Sequence, residues 1–137
     1  MTPNSNNRFK VLVVDDDPSV LSCYRRLLGR SGYETHTEAC PRNVLGKKSD
    51  LVQKVDLILL DYKMPEMDGL SLLAELRRRE CRARCILISA FLNEEVRAQA
   101  KLLGVDRVLE KPVDVDLLRG ALTDLLPASL PPAGQGS

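Results

Sequence analysis

Five residues of this 137-residue chain could do chemistry together: Asp15, Asp16, Asp61, Ser89 and Lys111. Each stands at the end of a short apolar run. Asp15 and Asp16 follow F-K-V-L-V-V (9–14), Asp61 closes L-I-L-L (57–60), Ser89 closes C-I-L-I (85–88), and Lys111 stands just past R-V-L (107–109). Taken singly, such acids are solvated loop residues, Ser89 is a satisfied hydroxyl and Lys111 a surface cation. Taken together they make a different site. Three close carboxylates repel one another and raise one another's pKa. A divalent cation offsets that repulsion. Mg²⁺ suits the set, because it takes hard oxygen ligands, keeps several waters and pairs one or two carboxylates with phosphate. With the metal in place Asp61 could attack a phosphoryl group and become an aspartyl-phosphate. Mg²⁺ and Lys111 would each neutralise a phosphoryl oxygen, and the Ser89 hydroxyl would hydrogen-bond another.

Those five residues must be brought to one place, and the pattern of elements does so. Apolar runs of this length, bounded by turn signals, read as buried parallel strands. Strands are expected at 9–14, 33–37, 56–60, 85–89 and 107–109. Helical stripes alternate with them. Pro18 suits a first helical turn with Asp17 as N-cap, and Gly32 ends that helix. Pro41, Gly46 and Ser49-Asp50 interrupt the second helical region, which is expected as a short or broken helix in two pieces. A third region runs from Leu70 to Glu80, a fourth opens on Asn93 and ends before Gly104, and a last runs from Val115 to Leu126. Strands alternating with helices give an α/β, doubly wound, five-stranded parallel sheet in three layers, with flavodoxin-like order 2-1-3-4-5. In that order strands 1, 3, 4 and 5 are neighbours, and their carboxyl ends share one crevice.

Composition excludes other classes. The 20 Lys and Arg nearly balance the 19 Asp and Glu, so net charge argues against direct nucleic-acid binding. The run R-R-R-E-C-R-A-R (77–84) reads as a solvated helix end. No apolar stretch approaches the roughly 20 residues that span a bilayer, and M-T-P-N-S-N-N-R lacks a secretory apolar region. A cytoplasmic protein without membrane contact is expected. Cys23, Cys40, Cys81 and Cys85 then read as free thiols. A zinc site is disfavoured, because no second cysteine pair of metal-site spacing accompanies Cys81 and Cys85, and His36 is the only histidine. Residues 1–8 read as a flexible leader, 9–126 as one domain, and 127–137, rich in Pro and Gly, as a tail or linker.

Four motifs in order, V-L-V-V-D-D-D-P (11–18), L-I-L-L-D-Y-K-M-P-E-M-D-G (57–69), I-L-I-S-A (86–90) and L-E-K-P (109–112), resemble the receiver domain of bacterial two-component response regulators. The resemblance covers about residues 8–126. It implies a signalling phosphoacceptor rather than an enzyme, with at most self-phosphorylation from small donors and slow self-dephosphorylation. Asp61 would accept a phosphoryl group from a histidine kinase or phosphotransfer protein. Asp16, Asp61 and the Lys63 backbone carbonyl would hold Mg²⁺, with Asp15 assisting through water. Ser89 and Lys111 would contact the phosphoryl group, and the Lys111–Pro112 bond would be cis. A downstream protein or output domain would read the switched surface, and a phosphorylation-dependent homodimer is a family-level expectation. Lys63 and Phe91 occupy positions where the family tunes hydrolysis. One departure stands out. Three residues before the lysine the family usually carries an aromatic residue, and here it is Val108, so signalling through the last two helices and the last strand is altered or carried elsewhere.

Three rival readings fit parts of the sequence. A flavin protein would need a phosphate-cradling first loop, but Asp15-Asp16-Asp17 repels phosphate. A haloacid-dehalogenase-type phosphatase would use Asp15 as nucleophile and leaves the 61–69 loop without a role. A phosphorylation-independent, receiver-like interaction module is favoured by Val108 and opposed by the complete set of acids, hydroxyl and lysine.

Overall fold

In the computed structural model, residues 8–128 and Pro132 are described. The element order is β1 (Lys10–Val14), α1 (Pro18–Arg30), β2 (Glu34–Glu38), α2 (Pro41–Leu45), α3 (Ser49–Val52), β3 (Leu57–Asp61), α4 (Gly69–Arg78), β4 (Arg84–Ser89), α5 (Glu94–Leu102), β5 (Arg107–Glu110) and α6 (Val115–Leu125). The sheet is five-stranded and parallel, in the order β2-β1-β3-β4-β5. This is the expected topology. The interrupted second helical region is two short pieces, α2 and α3, as its breakers require. The N-terminal leader and the C-terminal tail fall mostly outside the described residues.

Strand periodicity builds the two cores. Successive side chains of a strand point to opposite faces. Leu12, Val14, Ile58, Leu60, Cys85 and Leu87 therefore pack with Leu70, Leu72, Leu73 and Leu76 of α4 and with Val96 and Ala100 of α5. Val11, Val13, Leu57, Leu59, Ile86 and Ile88 pack on the other face with Leu21 and Leu28 of α1 and with Leu118, Ala121, Leu122 and Leu125 of α6. Burying one such leucine is worth about 1.5–3 kcal/mol. With helices on both faces the central strands have no wet side, which is why they read as unbroken apolar runs.

Helix ends follow local chemistry. Asp17, Asp68, Asn93 and Asp114 cap α1, α4, α5 and α6 with their side chains. Gly32 and Gly104, at φ +91° and +78°, close α1 and α5 in the left-handed conformation. The end of α4 differs from expectation. It stops at Arg78 because Glu80 takes that left-handed position itself, at φ +65°. The Cys81 N–H then donates to the Leu76 carbonyl, and the Glu80 N–H to the Arg77 carbonyl.

The basic run at the end of α4 is only in part the expected solvated helix end: Arg78, Arg79, Arg82 and Arg84 are exposed, but Arg77 is not. Arg77 turns inward and donates to the backbone carbonyls of Leu103, Cys81 and Ala83 at 2.9–3.0 Å. Arg79 reaches the Leu45 carbonyl, and Arg84 pairs with Asp106. Arg77 fastens α4 to the end of α5 and the approach to β4, Arg79 ties the end of α4 to α2, and Arg84 ties the start of β4 to the approach to β5. Their acceptors lie up to 34 residues away in sequence, beyond what local composition reveals.

Candidate functional site

Parallel register carries the chemistry to one edge. Val14 aligns with Leu60, Asp61 with Ile88, and Ser89 with Glu110. Asp15, Asp61, Ser89 and Lys111 therefore emerge side by side from β1, β3, β4 and β5. Backbone bonds hold the loops in place. Asp15 N–H donates to the Glu38 carbonyl, Tyr62 N–H to Ile88, Gly69 N–H to Tyr62, and Lys111 N–H to Ser89. The Lys111–Pro112 peptide is cis.

Asp15 and Asp61 are 4% and 5% exposed, whereas Asp16 faces solvent. Carboxylate oxygens of all three lie within 4.8 Å of one another. Among the described residues no other group of three His, Cys, Asp or Glu side chains comes together in this way. Lys111 Nζ lies 3.0 Å from Asp61 Oδ1.

The electrostatics follow from that geometry. Burial first, with the Asp16 charge adding to it, pushes the Asp61 carboxyl above its ordinary pKa despite the hydrogen bond and charge of Lys111. Burial likewise raises Asp15, against a bond from the Asp17 N–H and with the Asp61 charge adding to the rise. For Lys111, burial alone would lower the pKa. Its bond to Asp61 and the charges of Asp61, Asp15 and Asp16 outweigh burial and raise it. The Tyr24 phenol on α1 is pushed up to about 12 by burial first and then by Asp15 and Asp61. Tyr24 is thus core-edge packing, as its helical position suggests, and it stays neutral beside the acids.

A hard cation fits this donor set. Two buried carboxylates and a third at the rim concentrate negative charge against a single ammonium, and all three offer oxygen ligands. The Lys63 carbonyl belongs to the loop leaving Asp61, and the Lys63 side chain faces solvent.

The structure adds two features that strand-end reasoning missed. Gly69, at the start of α4, lies against the Asp61 carbonyl too closely for any side chain. The only sequence signal was its place at the end of the D-Y-K-M-P-E-M-D-G segment. Ser89 is 2% exposed, and its hydroxyl is already occupied. Oγ accepts from the Phe91 N–H at 2.9 Å and donates to the Phe91 carbonyl at 2.8 Å. It stands in the expected crevice but is bonded to its own loop.

Residues 11–123 match the family described as the response regulator receiver domain. Sporulation initiation phosphotransferase F of Bacillus subtilis is 32% identical over 120 residues, which are 86% of this chain and 94% of that protein. Regulatory protein AtoC of Escherichia coli is 34% identical over 109 residues, 80% of this chain but only 23% of the relative. The chain thus spans about a quarter of some curated relatives and nearly all of others. Chemotaxis protein CheY4 of Vibrio cholerae superposes with a TM-score of 0.79 at 27% identity, covering 87% of this chain and 99% of that one. A CheY in complex with CheX, BeF₃ and Mg²⁺ from Borrelia burgdorferi gives 0.79 at 25% identity, over 85% and 88% of the two chains. Receiver domains take phosphate from histidine kinases and bind Mg²⁺ at an acidic site. Sheet order, acidic cluster and relatives agree: this chain belongs to the response regulator receiver domain family, the phosphoacceptor module of two-component signalling.

Proposed function

We propose that Asp61 is the phosphoacceptor of this domain, served by Asp15, Asp16, Ser89, Lys111 and the backbone carbonyl of Lys63. The observation that carries the reading is the close approach of three carboxylates, with the Lys111 ammonium 3.0 Å from Asp61. Folding demands no such arrangement, since like charges at one edge cost stability.

Asp15, Asp16, Asp61 and the Lys63 carbonyl would hold Mg²⁺, as oxygen donors of the right number and hardness. When bound, the ion supplies charge neutralisation for the carboxylates and the incoming phosphoryl oxygens. The chain's own groups do the rest. An Asp61 carboxylate oxygen attacks the phosphorus of a phosphohistidine on a histidine kinase or phosphotransfer protein. The P–N bond breaks, and the imidazole nitrogen leaves with the electron pair. Lys111 neutralises one phosphoryl oxygen, and the Ser89 hydroxyl donates to another. The new charge biases a surface between two states, and an output partner reads it. Catalysis is limited to self-phosphorylation from small donors and slow self-dephosphorylation. The Mg²⁺ and BeF₃ named for the Borrelia neighbour support the same chemistry at this edge.

The domain spans 9–126 in this reading, with 1–8 as a leader and 127–137 as a tail or linker to an output domain. It acts in the cytoplasm and dimerises when phosphorylated. No helix among the described residues is long and apolar enough to cross a membrane. Val108 favours the second reading, an interaction module that works without phosphorylation, because no ring at that position follows Ser89. Incubation with acetyl phosphate, with and without Mg²⁺, followed by intact-mass spectrometry separates the two. One added phosphoryl group that needs Mg²⁺ supports the phosphoacceptor. No addition under either condition supports the module.

A further inference from the structure

We infer that Phe91 is a lid, held open by Ser89 and released onto the groove beside it when Ser89 turns to a phosphoryl group. The inference rests on the phosphoacceptor reading of Asp61. It starts from the hydrogen bonds of one hydroxyl. A serine hydroxyl has a single proton to donate. Here that proton goes to the Phe91 carbonyl, while Oγ accepts from the Phe91 N–H. A phosphoryl oxygen on Asp61 is a charged acceptor and competes for the same proton. When Ser89 donates there, the Phe91 carbonyl loses its partner. The Phe91 N–H can still hold Oγ, so the residue is drawn along as the hydroxyl turns. The loop is re-aimed rather than merely freed.

The ring has somewhere to go. Phe91 is 71% exposed, an unfavourable place for a large apolar side chain. It borders a groove of about 490 Å³ between the loop leaving Asp61 and the start of α5. Tyr62, Met64, Met67 and Val96 supply its apolar lining. All four already belong to, or pack against, the core on that face of the sheet. Methionine walls adapt to an incoming ring because their side chains are flexible and polarisable. One wall begins at the residue after the phosphoacceptor, and the other carries the backbone that binds Ser89. Both walls therefore sense events at Asp61. In the unmodified domain the groove is open and the ring is in water. In the phosphorylated domain the ring is seated and the groove is closed.

The chain has no Trp and only two Phe, so the ring can be watched directly. Phe91→Trp introduces the only Trp, whose emission can be excited apart from that of the three Tyr. Acetyl phosphate and Mg²⁺ are added, and intact mass is read on the same sample. The lid predicts that emission moves to shorter wavelength and that acrylamide quenching falls as the phosphoryl group appears. Both changes should be lost in the Ser89→Ala background and reduced by Met67→Ser in the groove wall. As a second probe, 4-fluorophenylalanine in the otherwise native chain should give two ¹⁹F resonances, Phe9 unmoved and Phe91 shifted on phosphorylation. A phosphorylated sample in which neither probe moves overturns the lid and leaves the phosphoacceptor standing. A sample that takes up no phosphoryl group overturns both.

Discussion

A Cβ on Gly69 would lie 2.4 Å from the Asp61 backbone carbonyl oxygen, inside the contact distance of any real pair of such atoms. The start of α4 and the end of β3 are therefore locked face to face, and the Gly69 N–H bond to the Tyr62 carbonyl closes the same turn. Gly69→Ala should force these segments apart. The expected cost is about 2–3 kcal/mol, of the size seen for overpacking. Phosphorylation at Asp61 should slow as well, because the carboxylate moves with its backbone. Urea unfolding and the rate of mass gain with acetyl phosphate measure the two effects.

Asp15 shows how the site opposes folding. Its pKa is raised in the folded state. A group of that kind contributes stability below its unfolded pKa and loses it as pH rises through the folded value. Asp15→Asn should therefore match the wild type in acid and gain on it toward neutral pH in chelator, by about 1 kcal/mol. Mg²⁺ should reverse the order. A ligand at a hundred times its Kd stabilises by about 2.7 kcal/mol, and the variant, lacking one carboxylate, should gain less. Thermal melts in chelator and in Mg²⁺ across that pH range test both signs.

In the proposed reaction Lys111 would matter more than it does to the fold. Its side chain is 38% exposed, so solvent screens its pair with Asp61. Lys111→Met should change stability by about 1 kcal/mol or less. Loss of one preorganised cation at a developing charge should slow phosphorylation about a hundredfold. A variant that is phosphorylated at the wild-type rate would remove Lys111 from the mechanism.

Glu80 occupies a conformation that suits glycine, with φ at +65°. A left-handed residue other than glycine costs about 1–2 kcal/mol, and glycine returns part of that through unfolded-state entropy. Glu80→Gly should raise stability by about 0.5–1 kcal/mol in urea unfolding, with Mg²⁺ response and phosphorylation unchanged, because it lies at the opposite end of α4 from Asp61.

Asp15, Asp61, Ser89 and Lys111 were legible as a set because each ends an apolar run, and parallel strands bring their ends to one edge. Gly32 and Gly104 marked helix ends by the same kind of local rule, since the left-handed position favours glycine. Glu80 fills that position at the end of α4 without being glycine, and the predicted helix ran two residues too far. Arg77 looked solvated because its neighbours in sequence are charged. Two of its acceptors, the carbonyls of Leu103 and Gly104, are supplied by another helix end. The sequence shows that Ser89 can donate into the crevice, but its present partner, the Phe91 backbone, depends on a loop conformation that no periodicity encodes.

Asp61 is the residue proposed to carry the phosphoryl group. Borohydride reduces an aspartyl-phosphate to homoserine, which peptide mass spectrometry can locate. After treatment with acetyl phosphate and Mg²⁺, homoserine should appear at position 61 and nowhere else, and it should be absent from Asp61→Asn. Homoserine at position 15 or 16 with Asp61 intact would make a different carboxylate the nucleophile and overturn the assignment of Asp61.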